Sequence, residues 1–550
     1  MARNKWLLLG SSLGVLALLV TAAIQENVLR EWRRIQSTAV DADGPIPMQL
    51  RQVVNPTLGV ADRCLSCHVA MGPGEEEVTI PGMPRHPAVA HDPGEFGCTV
   101  CHGGQGRATE RDDAHGRVEF WPEPMLPASM SEAGCGTCHT AVGVPHRDVL
   151  ARARATFTRL DCQACHAVDG RGGTLRPDGG GMEGPNLSRA GVTGWDRNWY
   201  ALHLARRDAA TEGPWRSSFG PVSDEDRGSL DVFLSMRVAA PRLIEAKSVF
   251  LSSGCLGCHK VGGIGGDAGP DLTRAGEKDP GRLDFAAVPG ERTLANWFSA
   301  HVRAPTAVVA GSQMPTLAVA DADVEALTFF TLSLRRRVIP GIYMPRDRMR
   351  TERFGEREFT SDGTTLFGVF CMGCHGPDGL GLRSPGMPSF PAIASPDFLA
   401  IVPDALLTQT ILRGRPGTRM PAWGDPSRGL TTDDVAALVA ELRRMSGVPA
   451  AADSRPPRWV DGDETEGGRL FAASCAGCHG GQGEGGEGLA LRNPVLLEHA
   501  TDTYLVETIK RGRRGTAMPG FAQSSTVHRT LSDREIEAIV SFIRTWRSPS

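Results

Sequence analysis

The stretch Cys475-Ala476-Gly477-Cys478-His479 decides how the rest of the chain is read, because its pattern, C-x-x-C-H, recurs. The copies are Cys64/Cys67/His68, Cys98/Cys101/His102, Cys135/Cys138/His139, Cys162/Cys165/His166, Cys255/Cys258/His259, Cys371/Cys374/His375 and Cys475/Cys478/His479. These seven use all 14 cysteines, so no thiol is left over. Zinc ribbons need facing cysteine pairs without a histidine after every one, and thioredoxin-like redox pairs do not come in sevens. A disulfide framework likewise leaves the invariant histidine unexplained.

C-x-x-C-H is the signature of c-type haem attachment. Two thiols on one helical turn add to the two vinyl groups of a haem, and the adjacent imidazole binds the iron. The sequence therefore predicts seven covalently bound haem c groups. All 14 cysteines are attachment points, and His68, His102, His139, His166, His259, His375 and His479 are proximal ligands. Composition agrees: aromatic residues make up only 6%, while Gly 66 and Pro 39 are abundant. Porphyrins fill small cores that side chains would otherwise fill, and glycine and proline suit long loops around them. The formal charge of -4 becomes more negative with haem propionates, which excludes nucleic acid as an expected partner. The arginines read as solvated surface or propionate partners.

Residues Trp6 to Ile24 form the one long apolar run, after basic Arg3 and Lys5. An export signal has a shorter apolar centre, of about 7 to 15 residues, although Thr21-Ala22-Ala23 offers a cleavage site. A run of this length spans a bilayer. Residues 1–25 are expected to be a transmembrane anchor, with residues 5–24 in lipid. Either reading delivers the chain to the periplasm, where haem attachment takes place, so the expected location is a bacterial inner membrane with periplasmic haem domains. Glu26 to Gln36 reads as a short amphipathic helix at the membrane surface.

Residues 26–147 form a triple-haem segment, loop-rich and punctuated by turns such as Met71-Gly72-Pro73-Gly74 and Pro122-Glu123-Pro124. Three haems this close in sequence must pack on one another. Four histidines lie outside the motifs here: His86, His91, His115 and His146. Three irons need sixth ligands, so three of these four are expected to supply them, with the pairing left open.

From about residue 148 a unit of roughly 100 residues occurs four times, over 148–240, 241–340, 341–450 and 451–550. Each opens with a helix carrying an aromatic before the motif: Phe157, Phe250, Phe367 and Phe471. Each closes with an amphipathic helix, with start signals at Ser223/Asp226, Asp321/Asp323, Thr431/Asp434 and Ser532/Glu535. These four units resemble class I cytochrome c domains, so the fold class expected is mainly α: an N-terminal transmembrane helix, the loop-rich triple-haem segment, then four tandem cytochrome c-like domains.

The resemblance implies a Pro-Asn-Leu type turn whose carbonyl orients the proximal imidazole. Gly184-Pro185-Asn186-Leu187 and Gly269-Pro270-Asp271-Leu272 match it, with Pro391 and Pro494 as weaker candidates. It also implies a methionine sixth ligand, matched by Met314-Pro315, Met420-Pro421 and Met518-Pro519. The first unit departs from this. Aligning Asn198–His203 with Asn296–His301 puts Arg216 where Met314 stands. His203 is the candidate replacement, with an open iron or Met182 or Met236 as alternatives.

Methionine ligation raises the potential of a haem relative to other ligation. Low-potential bis-histidine centres near the anchor and higher-potential centres beyond it imply electron flow away from the membrane. Irons closed on both faces favour electron transfer over independent catalysis, and no phosphate loop, nucleophile elbow or metalloprotease helix is present. The anchor and Phe96–Gly106 resemble the multihaem cytochromes that accompany bacterial quinol-oxidising complexes of the cytochrome b or alternative complex III kind. That resemblance implies such a complex as donor and a terminal oxidase, reductase or soluble cytochrome as acceptor. Two other readings remain: a multihaem reductase with an open fourth haem, and the cytochrome subunit of a membrane or periplasmic dehydrogenase.

Overall fold

The computed structural model describes residues 2–72, 77–86, 89–119, 121–173, 184–193, 222–317, 319–383, 390–450 and 454–546. The fold is mainly helical. Strand occurs among these residues as short antiparallel ribbons, such as Val53–Asn55 against Val60–Asp62, with Val53 opposite Asp62.

Helix α1 (Ala2–Asn27) contains the apolar run, with a mean hydropathy of 2.3 over its most apolar 18 residues, none of them buried. At about 1.5 Å per residue it is roughly 38 Å long, more than the ~30 Å hydrocarbon core of a bilayer. The helix expected over Glu26 to Gln36 is instead split. Helix α1 runs on to Asn27, Arg30 is extended, and a separate six-residue helix covers Glu31–Gln36. This second helix binds the triple-motif segment: the Arg111 backbone N–H donates to Glu31 at 2.9 Å, and Gln36 donates to the Ser66 carbonyl at 2.8 Å. The segment itself holds single turns of α-helix at Pro93–Phe96, Thr99–His102 and Arg111–Ala114 and a 3-10 stretch at Ala128–Thr137, short elements in keeping with its turn-rich sequence.

The longer helices that follow are α2 (Arg147–Arg159), α3 (Asp224–Ser235), α4 (Pro241–Leu251), α5 (Leu294–Arg303), α6 (Asp321–Ser333), α7 (Arg346–Phe354), α8 (Gly363–Phe370), α9 (Asp404–Arg413), α10 (Thr432–Ser446), α11 (Glu464–Ser474), α12 (Asp502–Arg511) and α13 (Asp533–Arg544). They pack as opening and closing pairs: α2 on α3, α4 on α6, α8 on α10 and α11 on α13. Aromatic pairs hold three of these crossings. Phe157 stacks on Phe233 at 4.2 Å, Phe250 meets Phe330 at 4.6 Å, and Phe471 meets Phe542 at 5.6 Å. The stripe Ile536, Ile539, Val540 and Ile543 on α13 is buried, as its helical spacing requires.

Thr431 with Asp434 and Ser532 with Glu535 form complete capping boxes, and the Ser223 hydroxyl accepts from the Asp226 N–H. The start of α6 differs from expectation. Asp321 is already helical and Ala320 occupies the cap position, so the acidic pair there acts on the helix dipole rather than as a cap. The last two units repeat one further device. Arg443 on α10 bonds Asp404 at 2.6 Å and the Val402 carbonyl at 2.8 Å. Arg544 on α13 likewise bonds Asp502 at 2.7 Å and the Ala500 carbonyl at 2.8 Å.

One continuous apolar core joins the third-motif region to the last three units. The unit containing Cys162 keeps a separate core of Ala153, Phe157, Leu160, Val168, Val222, Leu230, Phe233 and Leu234.

Candidate haem centres

All seven motifs fold into the same turn. The N–H of each histidine donates to the carbonyl of the first cysteine four residues back, at 2.8 Å for His68 and His139, 2.9 Å for His102, His259 and His375, and 3.0 Å for His166 and His479. One helical turn therefore puts both thiols on one side with the imidazole beneath them. None of the 14 cysteines is in a disulfide. Burial pushes Cys255 and Cys371 up to about 12, which keeps an unattached thiol neutral.

Cys165 is the second thiol of the fourth motif. Its partner Cys162 packs against the core of its own unit. Cys165 is half-buried and free, and among the described residues its sulfur has no hydrogen-bond partner. What engages this residue is its backbone: the carbonyl accepts the Gly184 N–H at 2.6 Å. That bond ties the motif to Gly184, the residue before Pro185. Its thioether role rests on the motif spacing and the turn geometry it shares with the other six.

Each proximal ring is oriented by what its Nδ1 touches. The Nδ1–H of His166 donates to the Pro185 carbonyl at 2.9 Å, and that of His259 to Pro270 at 2.8 Å. His375 donates to Pro391 at 2.9 Å and His479 to Leu489 at 2.8 Å. A carbonyl only accepts, so the proton sits on Nδ1 and the Nε2 lone pair is left for a metal. Burial lowers the pKa of His259 and His375, which favours the neutral ring a metal requires. In the last unit Leu489 takes the role, and Pro494 is instead the first residue of a short helix. The common signal is the glycine before the acceptor. A Cβ at Gly184, Gly269 or Gly488 would come within 2.6, 2.5 or 2.8 Å of the imidazole.

The third motif is held differently, and no sequence signal pointed to it. His139 Nδ1 lies 3.2 and 3.3 Å from the two carboxylate oxygens of Asp347, at the start of α7. His68 and His102 have buried Nδ1 atoms with no hydrogen-bond partner among the described residues.

The spare histidines of the triple-motif segment come to rest beside the motif histidines, one to one. Ring centres are 6.3 Å apart for His68 and His115, 6.1 Å for His102 and His86, and 6.1 Å for His139 and His91. A metal bonded to two imidazole nitrogens at about 2.0 Å each separates the ring centres by roughly 6 Å, so the gaps fit one iron apiece. His146 is placed elsewhere. It caps α2 by accepting the Asp148 N–H, and its ring lies against Gly368 of α8. His203, Arg216 and Met182 lie outside the described residues, and Met236 is buried at the end of α3.

The methionine loops of the last two units have one geometry. Gly414 and Gly512 are left-handed, with φ of 65° and 70°, and a Cβ on either would meet the Met420 or Met518 carbonyl at 2.7 Å. Each carbonyl accepts an arginine N–H, from Arg415 at 3.0 Å and from Arg513 at 3.1 Å. Both methionines are half-buried against the core. Met314 is half-buried without the glycine cradle, and in the same unit the His301 ring stacks on Trp297 at 4.9 Å.

Motifs also touch one another. Cys258 and Cys374 place their sulfurs 4.0 Å apart, and a Cβ at Gly254 would strike the Gly373 N at 2.0 Å. A Cβ at Gly134 would strike the Cys101 carbonyl at 1.8 Å, and one at Gly136 the Ser333 carbonyl at 1.9 Å. Cys64 and Cys98 come together with Asp62, their donor atoms lying within 4.8 Å. That carboxylate is committed to the second motif, accepting from the Cys98 and Thr99 N–H groups at 2.7 Å each.

The family described as cytochrome c oxidase, cbb3-type, subunit III matches residues 358–440 and again 462–543, and the cytochrome c family matches 244–335. The chain is a multihaem c-type cytochrome. Over 197 residues this cytochrome is 23% identical to the cbb3-type cytochrome c oxidase subunit CcoP of Helicobacter pylori strain 52, covering 35% of this chain and 61% of that protein. It is 30% identical over 195 residues to the subunit FixP of Azorhizobium caulinodans, covering 34% of this chain and 59% of that one. The cytochrome thus spans about three fifths of the length of these curated relatives. Among solved structures, a chain of the reducing HAO-like protein complex of Kuenenia stuttgartiensis aligns at 19% identity with a TM-score of 0.22, over 34% of this chain and 96% of that one. The neutral, oriented imidazoles, the paired thiols and the glycine-lined approaches to the rings fit covalently held haem.

Proposed function

We propose that this cytochrome is a membrane-anchored heptahaem electron carrier, held in a bacterial inner membrane by α1 with its haem domains in the periplasm. Its donor is a quinol-oxidising membrane complex, and its acceptor is a terminal oxidase, a reductase or a soluble cytochrome. The observation that carries this reading is the one-to-one seating of His115, His86 and His91 beside His68, His102 and His139. Both faces of each N-terminal centre are then taken by protein, which leaves room for charge to pass but not for a substrate.

Within this reading the 14 cysteines, Cys165 included, are thioether attachment points and the seven motif histidines are proximal ligands. Met314, Met420 and Met518 are the sixth ligands of the last three units. When bound, each haem iron supplies a one-electron couple whose potential methionine ligation raises. The chain's own residues set the order of the centres. The first two motifs meet at Cys64 and Cys98, beside the helix Glu31–Gln36 that follows α1. The second and third meet at Cys101 and Gly134. The third abuts α6 of the unit 241–340 through Gly136 and Ser333, and that unit meets its successor at Cys258 and Cys374. The final pair of units is joined by Arg383 donating to the Gly515 carbonyl at 2.8 Å and Arg513 to the Ala392 carbonyl at 3.0 Å. The unit around Cys162, with its own core, stands to the side of this line.

Membranes containing the protein test the donor. Adding a quinol should reduce its haems, with reduction abolished when the quinol-oxidising complex is inhibited. Haems that stay oxidised under these conditions would remove the proposed donor.

A further inference from the structure

Asp347 contacts a proposed haem ligand across 208 residues of sequence, and nothing in the assigned roles uses it. It stands second in α7, near the start of the unit 341–450. Its carboxylate is buried, with 9% of the residue exposed, and both oxygens face His139 Nδ1. One oxygen also accepts the Thr140 and Ala141 N–H groups, at 2.9 Å each. The turn it grips is fixed from the other side by Lys247, whose ammonium donates to the Thr140 and Ala141 carbonyls and is itself paired with Glu358 at 2.7 Å. Arg348, next in α7, donates to the Thr137 carbonyl at 2.9 Å inside the same motif. Ala141 is held at φ 55°, an uncommon conformation for a residue with a Cβ, and these bonds over-determine it. The carboxylate therefore cannot swing away from the ring without breaking the turn.

The other proximal histidines differ in kind. Four donate to a neutral carbonyl, and His68 and His102 have no partner at Nδ1 among the described residues. An anionic acceptor draws the Nδ1 proton towards itself and raises the basicity of the ring, and its charge favours the more positive ferric state. Resting on the haem assignment proposed above, we propose that Asp347 is a positioning residue that makes the His139 centre the lowest in potential of the three N-terminal haems. An electron moving outward would thus have to climb at the third centre. The opening helix of the unit 341–450 would then set a potential in a segment about 200 residues upstream.

The test is a potentiometric titration of the full-length protein in detergent, followed optically and by EPR, with haem content counted alongside. Asp347→Asn keeps the shape and removes the charge. One bis-histidine component should then become easier to reduce, its reduced-to-oxidised ratio at fixed potential rising about tenfold, which is ~59 mV for one electron. Asp347→Glu should restore the low value, and His91→Met should move the same component. A full haem complement with no component moved by Asp347→Asn would overturn the inference, as would movement of a component that His91→Met leaves alone. If Asp347→Asn fails to assemble, the unaltered protein decides: one of its three bis-histidine EPR signals must show the narrowed g spread of a ring with imidazolate character, and three alike would refute it. A wild-type chain carrying fewer than seven haems defeats the haem assignment instead.

Discussion

At the residue scale the centres are defined by which atom of each imidazole is already engaged. Carbonyl acceptors at Pro185, Pro270, Pro391 and Leu489 leave Nε2 as the metal-facing nitrogen, and the small residue before three of them makes room for the ring. Gly269→Ala should drive its methyl into His259 and cost about 1 to 3 kcal/mol as overpacking. The expected readout is a weakened low-spin spectrum from one haem, with the other six unchanged. The spare histidines give a sharper contrast. Alanine at His86, His91 or His115 should each convert one low-spin haem into a high-spin one by EPR. Alanine at His146, which caps α2, should leave the spectrum alone and cost about 1 kcal/mol of helix stability by denaturant titration. The motifs were legible in sequence because their chemistry is contained in five residues. Asp347 was not, because a contact made across 208 residues leaves no local pattern. Pro494 misled for a related reason: the acceptor is a backbone carbonyl, which any residue can offer, so proline is an unreliable marker of it.

At the element scale the recurring device is a pair of crossed helices closed by an aromatic contact, and its spacing was visible in the sequence because helical burial repeats every 3.6 residues. What joins the elements was not visible. α7, at the start of the unit 341–450, is bonded to the third motif, and Trp459 and Val460, at the start of the unit 451–550, donate to Asp502 at 2.7 and 3.0 Å. The strongest of these locks is the cluster of Lys247, Glu358 and Arg336. Burial opposes ionisation of Glu358, but the two cations overcome it and hold its pKa below the ordinary 4.5. Its contribution to stability is therefore fully present above the unfolded value and is lost as pH falls through the lower folded one. Burial lowers Lys247 as well, so the unfolded chain binds more protons and stability rises with pH from both groups. Glu358→Gln leaves Lys247 buried without its counter-charge and should cost about 3 to 5 kcal/mol. Chemical denaturation at neutral pH measures that loss, which should shrink as the pH is taken below about 4.

At the scale of the whole molecule, three pairs among the seven like turns touch: the first with the second, the second with the third, and the fifth with the sixth. Glycine permits the close approaches, since a Cβ at Gly134, Gly136 or Gly254 would overlap the backbone facing it. Gly254→Val should therefore separate the Cys258 and Cys374 motifs and slow electron passage between the fifth and sixth haems, read by flash-initiated kinetics, with haem content preserved. The separate core around Phe157 and Phe233 could not be read from the repeat, because chain order says nothing about which cores fuse. The account as a whole requires porphyrins bound through thioethers at every motif. Intact mass spectrometry of the denatured protein tests this most directly: the account predicts one species carrying seven haems. A polypeptide that sheds its haems on denaturation, or that retains clearly fewer than seven, would contradict it.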